Sequence, residues 1–189
     1  LSDEGTLTVA VGDATGHGLK AGTMVTAMKS LFQCFAREVE LVPVFNQSSR
    51  VLKQMNLRSL FMALTVVKVK NNRLTLTVAG MPPILIYRAA QNRIEEVFLK
   101  ALPLGSIAKY NYQQQELALA SGDLVVLMSD GFPERFNEAS EMFGYESAKT
   151  ALLESAHLSP QEIISRFVQI SDAWGQNRLQ DDDVTLVVL

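Results

Sequence analysis

The sequence predicts an α+β fold: a four-layer α-β-β-α sandwich with two mainly antiparallel sheets. Two observations carry this expectation. Between residues 60 and 128, β-rich segments alternate with turn-prone tetrads and dipeptides, so the sheet grows by hairpins and parallel crossovers are not needed. Separate amphipathic helical stretches lie on either side, and each needs a sheet face to cover. With 189 residues, 48% of them hydrophobic, the chain can bury one sizeable core, so residues 1–189 are expected to form a single domain.

The elements follow in order. Leu7 to Val11 alternates large and small side chains, as a partly buried strand would, and stops at Gly12-Asp13. Ala21, Val25, Met28, Phe32 and Phe35 recur at spacings of four and three, which predicts a helix from about Gly18 to Arg37 with these residues inward. Pro43 suits the first turn of a second helix, whose stripe runs through Leu52 and Met55 toward Asn56. Leu60 to Val69 and Leu74 to Val78 form a hairpin across Lys70-Asn71-Asn72-Arg73. Strands Ile84 to Tyr87, Ile94 to Val97, Gln113 to Leu119 and Leu124 to Met128 continue the pattern, with turns at Gln91-Asn92 and Ser121-Gly122-Asp123. A short helix is expected around Ser147 to Ala156. Ser159-Pro160-Gln161-Glu162 is a capping box with proline at the first helical position, followed by Ile163, Phe167, Ile170 and Trp174 on one face. Val184 to Leu189 closes the chain as an apolar strand.

Composition narrows the function. A formal charge of -3, with no dense run of Lys or Arg, gives no attraction to nucleic acid, which is excluded as a partner. No apolar stretch approaches the roughly 20 residues needed to cross a bilayer. The single cysteine, Cys34, cannot form an intrachain disulfide and is expected to be a small buried thiol, which favours a reducing, cytoplasmic compartment. Because the first strand follows Leu1-Ser2-Asp3 almost at once, the chain reads as the C-terminal part of a longer polypeptide.

Acidic residues collect where strands meet turns: Asp13 ends the first strand, Asp130 follows Leu124 to Met128, and Asp181-Asp182-Asp183 opens the last strand. If the last strand runs antiparallel to the other two, these carboxylates share a sheet edge. Aspartate also serves turns by accepting backbone N–H bonds, so any one of them alone has a structural explanation. Together they need a cation, since like charges in a cleft raise one another's pKa. An all-oxygen set favours Mg²⁺ or Mn²⁺ over Zn²⁺.

The runs Val11-Gly12-Asp13-Ala14-Thr15-Gly16-His17-Gly18, Ala79-Gly80-Met81-Pro82-Pro83, Leu102-Pro103-Leu104-Gly105, Met128-Ser129-Asp130-Gly131 and Asp182-Asp183-Val184-Thr185 resemble the PPM-type metal-dependent serine/threonine phosphatases. In order and spacing they resemble the bacterial branch named after the sporulation stage II protein E. The resemblance implies a β-sandwich flanked by helices and a centre of two Mn²⁺ or Mg²⁺ ions. It implies hydrolysis of phosphoserine or phosphothreonine in a protein by a metal-activated water. By motif match, Asp13 bridges both metals, the Ala14 carbonyl binds one, and Asp130 and Asp182 complete the set; these three aspartates are the catalytic residues through that water. The substrate implied is a phosphorylated anti-sigma-factor antagonist or related signalling protein, with a sensor, receiver or dimerising module upstream and a homodimer left open.

The chain departs from the family pattern twice. Relatives usually carry a Gly-Gly-Asp segment on a strand before the first one read here, and this chain either lacks it or begins after it, so the first strand of the sheet and one possible metal-site carboxylate are unaccounted for. Met81 stands where the branch often has histidine. Of the other candidates, His17 suits orienting the turn better than acting as a general acid, His157 belongs to the surface, and Lys20 and Arg135 are expected in solvent rather than on phosphate. Two rival readings remain. Gly16-His17-Gly18-Leu19-Lys20-Ala21-Gly22 misses the dinucleotide spacing by one residue and has a second helix after it in place of a parallel strand. A catalytically degenerate phosphatase-like adaptor that binds a signalling partner is the second.

Overall fold

The computed structural model describes residues 2–3, 5–35, 37–38, 40–57 and 60–189. They fall into two compact units, residues 1–81 with 99–119, and residues 82–98 with 120–189. Each unit combines one antiparallel sheet with two helices.

In the first unit the strands are β1 (Ser2–Asp3), β2 (Thr6–Ala14), β3 (Met62–Lys70), β4 (Arg73–Ala79) and β7 (Gln114–Ala118), in the sheet order β1-β2-β3-β4-β7. Every pairing is antiparallel. The β3–β4 hairpin turns at Asn71 and Asn72, both with positive φ, as a tight hairpin connection of right-twisted strands demands. Helices α1 (Leu19–Phe35) and α2 (Leu41–Gln54) place Met24, Met28, Leu41, Phe45 and Leu52 in one core with Leu64 and Val66 of β3. The α1 face differs from the expected stripe. Ala21, Met24 and Met28 are its buried residues, whereas Val25 and Cys34 are exposed. The inner stripe is centred on Met24, a position the spacing through Val25 misses, and Cys34 falls on the far flank; the buried-thiol expectation is therefore corrected. The expected end of this helix at Arg37 runs through Ala36, which lies outside the described residues. The two-residue strand β1 was not among the expected elements.

The second unit holds β5 (Ile84–Arg88), β6 (Arg93–Val97), β8 (Leu124–Met128) and β9 (Leu186–Val188), in the order β6-β5-β8-β9, again all antiparallel. A 3₁₀ turn, Ala89–Gln91, and Asn92 in the left-handed region join β5 to β6. Helices α3 (Tyr145–Ser155) and α4 (Pro160–Gly175) cover this sheet through a core of Leu85, Val126, Leu152, Ile163 and Phe167. Phe132 stacks on Phe167 with ring centroids 4.9 Å apart. The capping box forms as read: the Ser159 hydroxyl accepts from the Glu162 N–H, and the Glu162 carboxylate accepts from the Ser159 N–H. β9 is shorter than the expected Val184 to Leu189, because residues 183–185 bond to the Ser129 side chain as well as to backbone.

Candidate metal centre

β8 is apolar throughout, which places it mid-sheet, and the chain leaves it at Ser129 to turn through Asp130-Gly131. Because β9 runs antiparallel to β8, with Met128 opposite Leu186, the residues that lead into β9 lie beside those that leave β8. This register brings Asp182 to Asp130, and the two carboxylates offer oxygens within 4.8 Å of each other.

Two local features hold them there. The Ser129 hydroxyl donates to the Asp183 carbonyl (3.0 Å) and accepts from the Thr185 N–H (2.9 Å), while the Ser129 N–H donates to the Thr185 carbonyl (3.0 Å). Ser129 is almost fully buried. Gly131 lies directly against the second segment: a Cβ there would collide with the Asp183 carbonyl and come within 3.3 Å of the Asp182 carbonyl. Only glycine permits that approach.

A cleft of about 160 Å³ opens at this point, lined by Asp130, Gly131, Glu134, Phe136, Asp181 and Asp182 among others. Glu134 is four residues beyond Asp130, and its N–H donates to the Asp130 carbonyl (2.8 Å). Partial desolvation in the cleft pushes the Glu134 carboxyl above the usual range, and the charge of Asp130 adds to this; a bond from the Tyr145 hydroxyl opposes it, and Asp182 contributes a smaller upward push. Burial, then the charges of Glu134 and Asp130, raise the Tyr145 phenol to about 12, so it remains a donor at any working pH. Among the described residues the ion pair of this region goes to Asp181, which Arg178 holds, and not to Asp130 or Asp182. Arg135 also lines the cleft, but four carboxylates outnumber it, and hard oxygen donors with excess negative charge suit Mg²⁺ or Mn²⁺.

Asp13 and Ala14 belong to the first unit. They end β2 opposite Ala63 and Met62; Asp13 is half-buried and Ala14 buried. The Thr15 N–H continues the ladder to the Phe61 carbonyl (3.0 Å). His17 and Lys20 are exposed, as is His157. Arg135 is not in solvent as expected. It is 7% exposed, since its guanidinium lies against Gly175 and donates to the Arg178 carbonyl. The sequence placed Ser129 in a motif without a role of its own, and Glu134 and Arg178 were missed. The only signals available were the position of Ser129 between a strand and Asp130, the four-residue step to Glu134, and the Arg178–Asp181 spacing of three.

Two antiparallel sheets with four helices define the fold of the PP2C class of phosphatase domains. Over its whole length the chain resembles the SiaA-PP2C domain of Pseudomonas aeruginosa, with a TM-score of 0.88 at 19% identity and 76% of that chain covered. It resembles RsbX, solved in complex with magnesium, with a TM-score of 0.73 at 15% identity, covering all of this chain and 82% of the other. Residues 3–189 match the family described as Stage II sporulation protein E (SpoIIE), and the chain belongs to that family. It is similar to the phosphoserine phosphatase RsbU of Bacillus subtilis (strain 168), at 27% identity over 199 residues. That match takes in all of this chain and 57% of RsbU, so the chain spans little more than half of that relative's length. Among the described residues no helix is long and apolar enough to cross a membrane.

Proposed function

We propose that this chain is a protein-serine/threonine phosphatase domain. In this reading Asp13, Asp130 and Asp182, with the Ala14 carbonyl, hold two Mn²⁺ or Mg²⁺ ions. One observation carries the proposal: Asp130 and Asp182, more than fifty residues apart in sequence, present carboxylate oxygens within 4.8 Å of each other in an acidic cleft. Family membership and the similarity to a phosphoserine phosphatase support the reaction type. Asp13 enters by its motif, Gly12-Asp13 at the end of a strand.

When bound, the ions would supply a nucleophile near neutral pH and offset the charge of the phosphoryl oxygens. The protein's own residues do the remainder. Asp130 and Asp182 would hold the cations, Ser129 and Gly131 keep the two carriers at contact distance, and Glu134 stands on the cleft wall. No nucleophilic side chain is required, and Cys34, exposed on α1, has no part in the site. The substrate in this proposal is a phosphorylated signalling protein of the anti-sigma-factor-antagonist kind. The domain, residues 1–189, would act in the cytoplasm as the C-terminal part of a longer signalling protein with a sensor or receiver module, as a monomer or homodimer.

The test is Mn²⁺-dependent release of phosphate from a phosphoserine protein. Asp130→Asn or Asp182→Asn should lower it by at least about a hundredfold with the circular dichroism spectrum unchanged, since even groups one step removed from a metal cost 10–100-fold. Undiminished turnover in these variants, or in excess chelator, would sink the proposal. Partner binding without any turnover by the unmodified protein would favour an adaptor.

A further inference from the structure

We infer that Arg135 and Arg178 form a brace that sets the spacing of Asp130 and Asp182, which makes both arginines positioning residues for metal capture. This rests on the proposed metal centre.

The two carboxylates lie on separate stretches of chain. One stretch runs from Asp130 to Ser140, and the other from the end of α4 at Gly175 to Asp182. Arg135 joins them from inside. Its Nη2 donates to the Arg178 carbonyl (2.5 Å), and its guanidinium lies so close to Gly175 that a Cβ on that glycine would collide with Nη2 and sit 2.6 Å from Cζ. Arg178 joins them from outside. Its Nε and Nη2 fork onto the Asp181 carboxylate (3.2 and 3.3 Å), and its Nη1 donates to the Asn137 carbonyl (3.4 Å) and the Ser140 hydroxyl (3.3 Å). The same guanidinium lies 5.2 Å from the centre of the Phe136 ring. Each arginine thus bonds or packs against both stretches, directly or through its own backbone.

Arg135 keeps its Nη1 buried and without a partner. Leaving a charged donor unsatisfied is costly, and an aliphatic residue would fill the space at lower cost. Arg135 spans to the Arg178 carbonyl, which an aliphatic residue could not. The fork from Arg178 to Asp181 ends one residue short of Asp182. It holds the backbone from which Asp182 leaves, while the Asp182 carboxylate itself accepts from the Asp183 N–H (2.8 Å). A brace of two planar guanidiniums suits this task better than two ammonium groups, because each is rigid and offers several donors.

Three variants test the inference, with Mn²⁺ affinity measured by titration calorimetry and amide exchange measured on the metal-free protein. Arg178→Ala, at a partly buried side chain, should weaken Mn²⁺ binding about tenfold and speed exchange at residues 179–183. Its melting transition should stay cooperative, so that the affinity is read on folded protein. Arg178→Lys should recover part of the affinity. Gly175→Ala should displace Arg135 and weaken Mn²⁺ binding, although helix propensity alone would favour alanine there. Unchanged Mn²⁺ affinity in folded Arg178→Ala and Gly175→Ala would overturn the brace while leaving the metal centre standing. Failure of the unmodified protein to bind Mn²⁺ would remove the metal centre, and the positioning role with it.

Discussion

At the residue scale, aspartate at a strand–turn junction has two uses in this protein, and its neighbours separate them. Asp123 accepts from the Ala120 and Ala89 N–H groups and from Arg88, all at 2.8–3.0 Å; it is a turn residue with a cation of its own. Asp130 instead faces Glu134 and Asp182, and acidic neighbours do not stabilise a carboxylate. The sequence shows Asp123 within the turn Ser121-Gly122-Asp123 and Asp130 just after a strand, inside a motif. Ser129 stands in that motif, but the partners of its hydroxyl were illegible because they are more than fifty residues away in sequence. Its hydroxyl nevertheless accepts from one backbone group and donates to another of the segment that carries Asp182. Ser129→Ala should therefore cost about 1–2 kcal/mol in denaturant unfolding, toward the lower part of the range for unsatisfied buried groups because water can reach Asp183 and Thr185. It should also weaken Mn²⁺ binding. A stability loss with unaltered Mn²⁺ affinity would show that Ser129 supports β9 without setting the site.

At the element scale, what could be read was what local chemistry dictates. The α4 start follows from Ser159, Pro160 and Glu162 alone, and the β3–β4 turn from two asparagines that tolerate positive φ. The inner face of α1 could not be read in the same way, because Met24 and Val25 are both apolar and only packing chooses between them. Likewise the boundary between β9 and the segment before it depends on Ser129, which is distant in sequence. Asp123 shows what an element junction contributes. Burial alone would raise its carboxyl, but bonds from Ala120, Arg88 and Ala89 more than offset this and hold it below the usual range. A carboxylate held low binds its proton less readily folded than unfolded. Its contribution is thus complete above about pH 4 and lost as pH falls through the lowered folded value. Its side chain is only 3% exposed, so solvent screening is slight. Asp123→Asn should cost about 1.5–3 kcal/mol at neutral pH, the range for charged hydrogen bonds. It should also flatten the acid limb of the stability curve below pH 4. An acid limb as steep as that of the unmodified protein would place the titrating group elsewhere.

At the scale of the whole molecule, the likeness to the SiaA-PP2C domain at 19% identity shows how little of the sequence the fold requires. Apolar strand segments, amphipathic helices and the turns between them carry it, and most of these were legible in each segment. The acidic set is harder to derive from stability, because gathering carboxylates opposes folding unless a cation joins them. That opposition yields a measurable consequence. An ion that binds only the folded state stabilises it by about 2.7 kcal/mol at a hundred times its dissociation constant. For a chain of this size that is a rise in melting midpoint of about 5–11 °C. Saturating Mn²⁺ should therefore raise the midpoint by that amount, and chelator should reverse it. The rise should vanish in Asp130→Asn and Asp182→Asn, whose apo forms should melt no lower than the unmodified apo protein because a repulsive charge has gone. Asp13→Asn decides the rest. Loss of the Mn²⁺ shift in that variant would mean that Asp13 shares ions with the other two aspartates, whereas a full shift would confine the metal site to Asp130 and Asp182 and leave Asp13 to the end of β2.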